Sequence, residues 1–189
     1  MEAPQKFKNA LWAAIPILFT ILVFNRQAFA ATAQEINQEI DSTLNQFKKV
    51  LKNADEFLKA SKGVLVIPRV KKLGFIMGSQ SGQGALRVHD KTVAYYRMDS
   101  GSLGFRAGFK KTSLLFLFLT NEALKKFRAV EGWTVGAENG ITIVDKGFGG
   151  SVDSLKNTSP VVGFAIGPEG MMGGWSAKGS KFTEFEPGE

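Results

Sequence analysis

From Gly63 onward the sequence breaks into short apolar runs, each cut off by glycine or a turn residue. "GVLVI" at 63–67, "GFIM" at 74–77, "GALRV" at 84–88 and "TVAYYRM" at 92–98 come in quick succession. "LGFRAGF", "SLLFLFLT", "WTVGA", "ITIV", "VVGFAIG" and "KFTEF" follow. Runs of this length, rich in β-branched and aromatic residues, read as strands. Asp99-Ser100-Gly101, Asn139-Gly140 and Pro168-Glu169-Gly170 supply turns between them. Short links impose antiparallel pairing, because parallel neighbours need long crossovers. Leu114–Leu119 is apolar without a break and predicts a central strand covered on both faces. One helix interrupts the series, opened by Thr120 or Asn121, turning Leu124 and Phe127 inward and closed by Gly132.

Ahead of these strands the periodicity changes. Ile36, Ile40, Leu44, Phe47, Leu51, Ala54 and Leu58 recur at steps of three and four, which places them on one face of a helix over 34–62. Lys48, Lys49, Lys52 and Lys59 fall opposite, and Gly63 is the stop. Such a helix packs on a sheet; the alternative is that it lies on a membrane, a reading kept open by its lysine-rich second half. The expected fold is α+β. It is a single domain with an antiparallel multi-stranded sheet or partly closed barrel, a long N-terminal amphipathic helix over 31–62 and one further helix, with 63–189 as the glycine-rich β body.

The first thirty residues address the protein. Lys6 and Lys8 precede the apolar run Leu11–Phe24, and Ala28-Phe29-Ala30 provides a small-residue cleavage site. The run falls short of the ~20 residues a spanning helix needs, and Pro16 interrupts it. A signal peptide over 1–30, cleaved after Ala30, predicts a periplasmic or secreted protein, peripheral to the membrane. The alternative is an uncleaved anchor. There is no cysteine, which excludes disulfides, thiolate nucleophiles and thiolate metal ligands.

The motifs of known chemistries fail on spacing. Gly78-Ser79-Gln80-Ser81-Gly82-Gln83-Gly84 puts no lysine where a phosphate-binding loop requires one. Gly82-Gln83-Gly84 leads into strand-like "ALRV", not the helix of a dinucleotide fold. These glycines are expected to make room inside a sheet. His89 is the only histidine; beside Asp90 in a turn it reads as a surface residue, not as part of a triad. No enzymatic activity and no cofactor or metal is expected.

Charge is concentrated in the middle of the chain. Residues 63–128 hold twelve lysines and arginines against Asp90, Asp99 and Glu122, net +9. Residues 31–62 are neutral, and 129–189 are acidic. An anionic partner would be drawn to the central segment.

The motif order "ASKGVLVIPRVKKLGFIMGSQSGQGAL", "TVAYYRMDSGSLGFRAGF", "LLFLFLTNEALKKF", "GWTVGAENG" and "VVGFAIGPEGMMGGWSAKGSKF" resembles the SYLF-domain family, over about Asp55 to Phe185. The resemblance implies a non-enzymatic lipid-associated domain; eukaryotic members bind phosphoinositides and other anionic lipids, and some bind actin. Arg106 stands where a glutamine is common in the family. Export would separate this chain from actin and cytosolic phosphoinositides, so neither is expected as a partner, and nucleic acid is not expected either. The expected partner is an anionic phospholipid or membrane surface, contacted by Lys71, Lys72, Arg106, Lys110 and Lys111. The bland alternative makes these ordinary solvated residues. Met171, Met172 and Trp175 are expected to fill core, with an adaptable apolar contact beside the basic patch as the alternative. The competing function is an envelope protein-interaction or assembly module without a lipid ligand.

Overall fold

The structure is a computed structural model that describes residues 31–73, 79–101, 112–136, 140–145, 151–156 and 158–188, with Lys72 and Leu73 described by backbone alone. Thr32–Glu189 forms one compact unit. The expected signal peptide over 1–30 lies outside the described residues, as do the strand-like runs at 74–77 and 103–109.

Thr32–Glu189 is an α+β unit. Helix α1 (Ala33–Val50) starts at a reciprocal cap: the Glu35 N–H donates to Thr32 Oγ1 at 3.2 Å, and the Thr32 N–H donates to Glu35 Oε2 at 3.0 Å. The predicted single helix over 34–62 is broken. Leu51 is extended, Lys52 and Asn53 form a turn, and α2 (Ala54–Ala60) begins anew. Asn53 takes the N-cap position of α2, and Asp55 and Glu56 supply acids to its first turn, where the helix dipole favours them. The buried face is consequently Ile36, Ile40, Thr43, Phe47, Leu51, Ala54 and Phe57. Leu44 and Leu58, expected in that stripe, stay half-buried on its flank.

The strands are β1 (Gly63–Leu73), β2 (Ser79–Val88), β3 (Lys91–Ser100), β4 (Thr112–Phe118), β5 (Trp133–Thr134), β6 (Ile141–Val144), β7 (Val161–Gly167), β8 (Gly170–Met171) and β9 (Lys181–Glu184). They form one sheet in the order β5-β9-β3-β2-β1-β4-β7-β6, with β8 hairpinned onto β7. Strand β4 is buried along its whole length between β1 and β7, as its unbroken apolar run requires. Helix α3 (Asn121–Ala129) is capped by Thr120, whose Oγ1 accepts from the Ala123 N–H at 3.1 Å, and it buries Leu124 and Phe127.

Two further features depart from the sequence reading. Strand β6 pairs with β7 in parallel, Ile141 opposite Val161, where antiparallel pairing was expected throughout. Residues 145–160 between them are long enough for the crossover that parallel pairing needs. That crossover holds a fourth helix, α4 (Val152–Lys156), short enough to escape periodicity, with the Ser154 N–H donating to Ser151 Oγ at 3.3 Å.

Register assigns every core side chain to one of two faces. Tyr95, Ala85, Val66, Leu115, Phe164 and Val144 form a cross-strand row beneath α1 and α2. Phe164 meets Phe47 and Phe57 edge-on there, at ring separations of 4.9 and 5.3 Å. The neighbouring row of Leu86, Leu65 and Phe116 faces the other way, into a core with Phe127, Trp133, Trp175 and Phe182. Met172 and Trp175 are buried in this second core, as the core reading of the segment expected, while Met171 is half-buried.

Tyr96 closes one margin of that core, its hydroxyl 3.3 Å from Glu184 Oε2. Burial, followed by the adjacent Glu184 carboxylate, pushes the phenol up from 10.0 to about 12. The neutral phenol is thus favoured by folding. Its contribution to stability is complete below the unfolded value of 10.0 and is lost as pH rises toward about 12. Melting temperature measured across this window should fall, and Tyr96→Phe should flatten the fall; equal slopes in both proteins would contradict the assignment.

Candidate functional site

The same register builds an open surface. On β1, Arg69 and Lys71 alternate with buried Val70. Arg69 pairs through Gln83 with Arg97 and Thr183, and Lys71 pairs through Ser81 with Asp99 and Lys181. Directly paired residues share a face, so two adjacent rows across β1, β2, β3 and β9 bring Arg69, Lys71, Arg97 and Lys181 together. All four are exposed, and between them lie the half-buried polar residues Ser81, Gln83 and Thr183. Asp99 is the single acid in the two rows.

Neighbouring side chains hold two of these cations. The Arg69 guanidinium donates to the Glu39 carboxylate at the margin of α1. The Arg97 guanidinium sits 5.5 Å over the Phe185 ring, which in turn meets Tyr95 edge-on. Lys71 has neither an ion-pair partner nor an aromatic ring beneath it among the described residues.

Of the five residues expected from sequence, Lys71 is the one whose side chain is described, and it stands on this face. Lys72 follows it in β1 with its backbone opposite Gln80. Its side chain, and Arg106, Lys110 and Lys111 entirely, lie outside the described residues. Sequence reading missed Arg69, Arg97 and Lys181. Alternation along "PRVKK" and "YYRMD" carries a signal for the first two. Nothing local connects Lys181 to them, because only the β3–β9 pairing brings it there.

The two motifs tested for catalysis resolve structurally. His89 and Asp90 have φ of 50° and 62° and are both exposed, forming the two-residue turn of the β2–β3 hairpin. Gly82 and Gly84 lie within β2, packed against β1. Among the described residues no three His, Asp or Glu side chains gather in a way that could hold a metal ion, and no helix is long and apolar enough to cross a membrane.

Protein-family models and curated proteins yield no match to this chain.

Proposed function

We propose that this protein is an exported, non-enzymatic lipid-binding domain that docks on anionic membrane surfaces through the open face of β1, β2, β3 and β9. The observation that carries the reading is the convergence of four exposed cations on a nearly continuous sheet surface with one acid among them. A sheet face can lie against a plane of headgroups and engage several of them at once. Each Lys or Arg close to an anionic bilayer contributes ~1 kcal/mol. Arg69 is largely neutralised by Glu39 and Asp99 opposes the rest, so docking is reversible and salt-sensitive. The motif order that resembles the SYLF-domain family, and the signal-like N-terminus, support the same reading. Lys72, Arg106, Lys110 and Lys111, the other residues expected from sequence to make contact, stay in this reading on the strength of the sequence alone.

Co-sedimentation of residues 31–189 with vesicles tests it. Vesicles containing phosphatidylglycerol should carry the protein down at low salt, whereas pure phosphatidylcholine should not. Lys71→Glu/Arg97→Glu/Lys181→Glu should weaken binding at least ~100-fold, since reversing three charges removes several kcal/mol of attraction. All three side chains are exposed, so folding should survive, as circular dichroism would verify. Equal sedimentation with both vesicle types, or none with either, would remove the membrane reading and leave the envelope-assembly alternative.

A further inference from the structure

We infer that the groove bounded by α1, α2, the start of β1 and the β2–β3 turn captures one anionic amphiphile from solution: a single alkyl or acyl chain ending in phosphate or carboxylate. The groove encloses about 630 Å³, within the ~300–1,000 Å³ of clefts that hold small ligands. It shares no residue with the open sheet face, so this inference does not rest on membrane docking.

The lining has two characters. Leu44, Leu58 and Val64 supply its apolar part. Periodicity assigned the two leucines to the core, but the break at 51–53 leaves them half-exposed along this groove. A purely ionic ligand would give them nothing to bury; an alkyl chain would.

The rim is cationic. Lys48 is engaged by Asp55 at 3.1 Å, and the Arg87 Nη1 by Asp41 at 2.5 Å. Lys59 and Lys62 line the same groove with no acid within ion-pair distance among the described residues. The Arg87 side chain is only 14% exposed, and its Nε is buried without a hydrogen-bond partner. That donor is a buried polar group beneath the groove that the Asp41 pair does not satisfy. His89 lies at the turn, and Asp90 is the one acid of the rim outside an ion pair among the described residues. Two free lysines beside an apolar strip fit one small anionic head with one chain; they are too few for a polyanion.

Titration calorimetry of the full-length chain tests this with decyl phosphate below its micelle concentration. Inorganic phosphate supplies the head alone and octyl glucoside a neutral tail alone. Saturable binding of one decyl phosphate per chain is expected, with either half alone at least ~10-fold weaker. Lys59→Glu/Lys62→Glu and, separately, Leu44→Gln/Leu58→Gln should each weaken it at least ~10-fold. Lys71→Glu/Arg97→Glu/Lys181→Glu should leave it unchanged. The apolar run at 11–24 is common to all these proteins and cancels in the comparison. No saturable binding overturns the inference, as does binding that both groove variants retain. If the groove variants lower vesicle co-sedimentation but decyl phosphate does not bind, the groove contacts bilayers and single-molecule capture is wrong.

Discussion

Gly84→Ala should cost the protein at least ~3 kcal/mol of stability, in the range reserved for substitutions that break a specific structural requirement. A Cβ at position 84 would stand 1.8 Å from the carbonyl oxygen of Val66, 2.8 Å from its carbonyl carbon and 2.9 Å from Ile67 Cα. All three are backbone atoms, so no side-chain rotation relieves the clash. Strand β1 cannot retreat either, because β2 holds one of its edges and β4 the other. The pairing shifts register between Val66 and Arg69 at this point, and β2 approaches β1 closely across the irregularity. Gly101→Ala is the control, since a Cβ there meets nothing within 4 Å. Urea unfolding of the two variants would decide the matter. A Gly84→Ala protein within about 1 kcal/mol of wild type would mean that this close approach does not exist.

Phe164→Ala should destabilise by roughly 3–5 kcal/mol, the usual cost of emptying a buried aromatic site. For a unit of this size that lowers the melting temperature by roughly 10 °C. The ring is fully buried at the centre of β7 and meets both Phe47 of α1 and Phe57 of α2. Its loss should therefore be felt unevenly. Helix α1 retains polar ties to the sheet, from Asn37 Nδ2 to Tyr95 Oη at 2.9 Å and from Gln46 Nε2 to the Gly167 carbonyl at 3.1 Å. Helix α2 is short and depends on Ala54 and Phe57. Hydrogen exchange should accelerate more in α2 than in α1. Uniform acceleration, or a loss below about 1 kcal/mol, would show that the two helices are not held through this ring.

Elements whose signals are local were legible in the sequence. Continuous apolarity located β4, the Thr120 cap and the Leu124/Phe127 spacing located α3, and short apolar runs cut off by glycine and turn residues located most of the other strands. The glycines of β2 were read correctly as a packing device. Three features required information from elsewhere in the chain. The break at 51–53 is set by docking on the sheet, which buries Thr43 in place of the more apolar Leu44, and Phe57 in place of Leu58. The parallel pairing of β6 depends on where its crossover returns the chain. The cationic face depends on register between strands distant in sequence. Charge counting found the central basic segment, but Lys181 belongs to the acidic final third, so composition pointed away from it.

The position of β9 also has a consequence in time. Lys181 pairs with Asp99, and Phe182 fills the core beside Trp133. Strand β3 is therefore made long before the strand that covers its edge. At ribosomal rates of roughly 5–20 residues per second, that edge waits several seconds for its partner. Strand β5, which pairs only with β9 among the described strands, cannot shield it earlier. An uncovered edge is a template for association between nascent chains. Arg97 and Asp99, exposed on β3, place opposite charges along that edge throughout the wait.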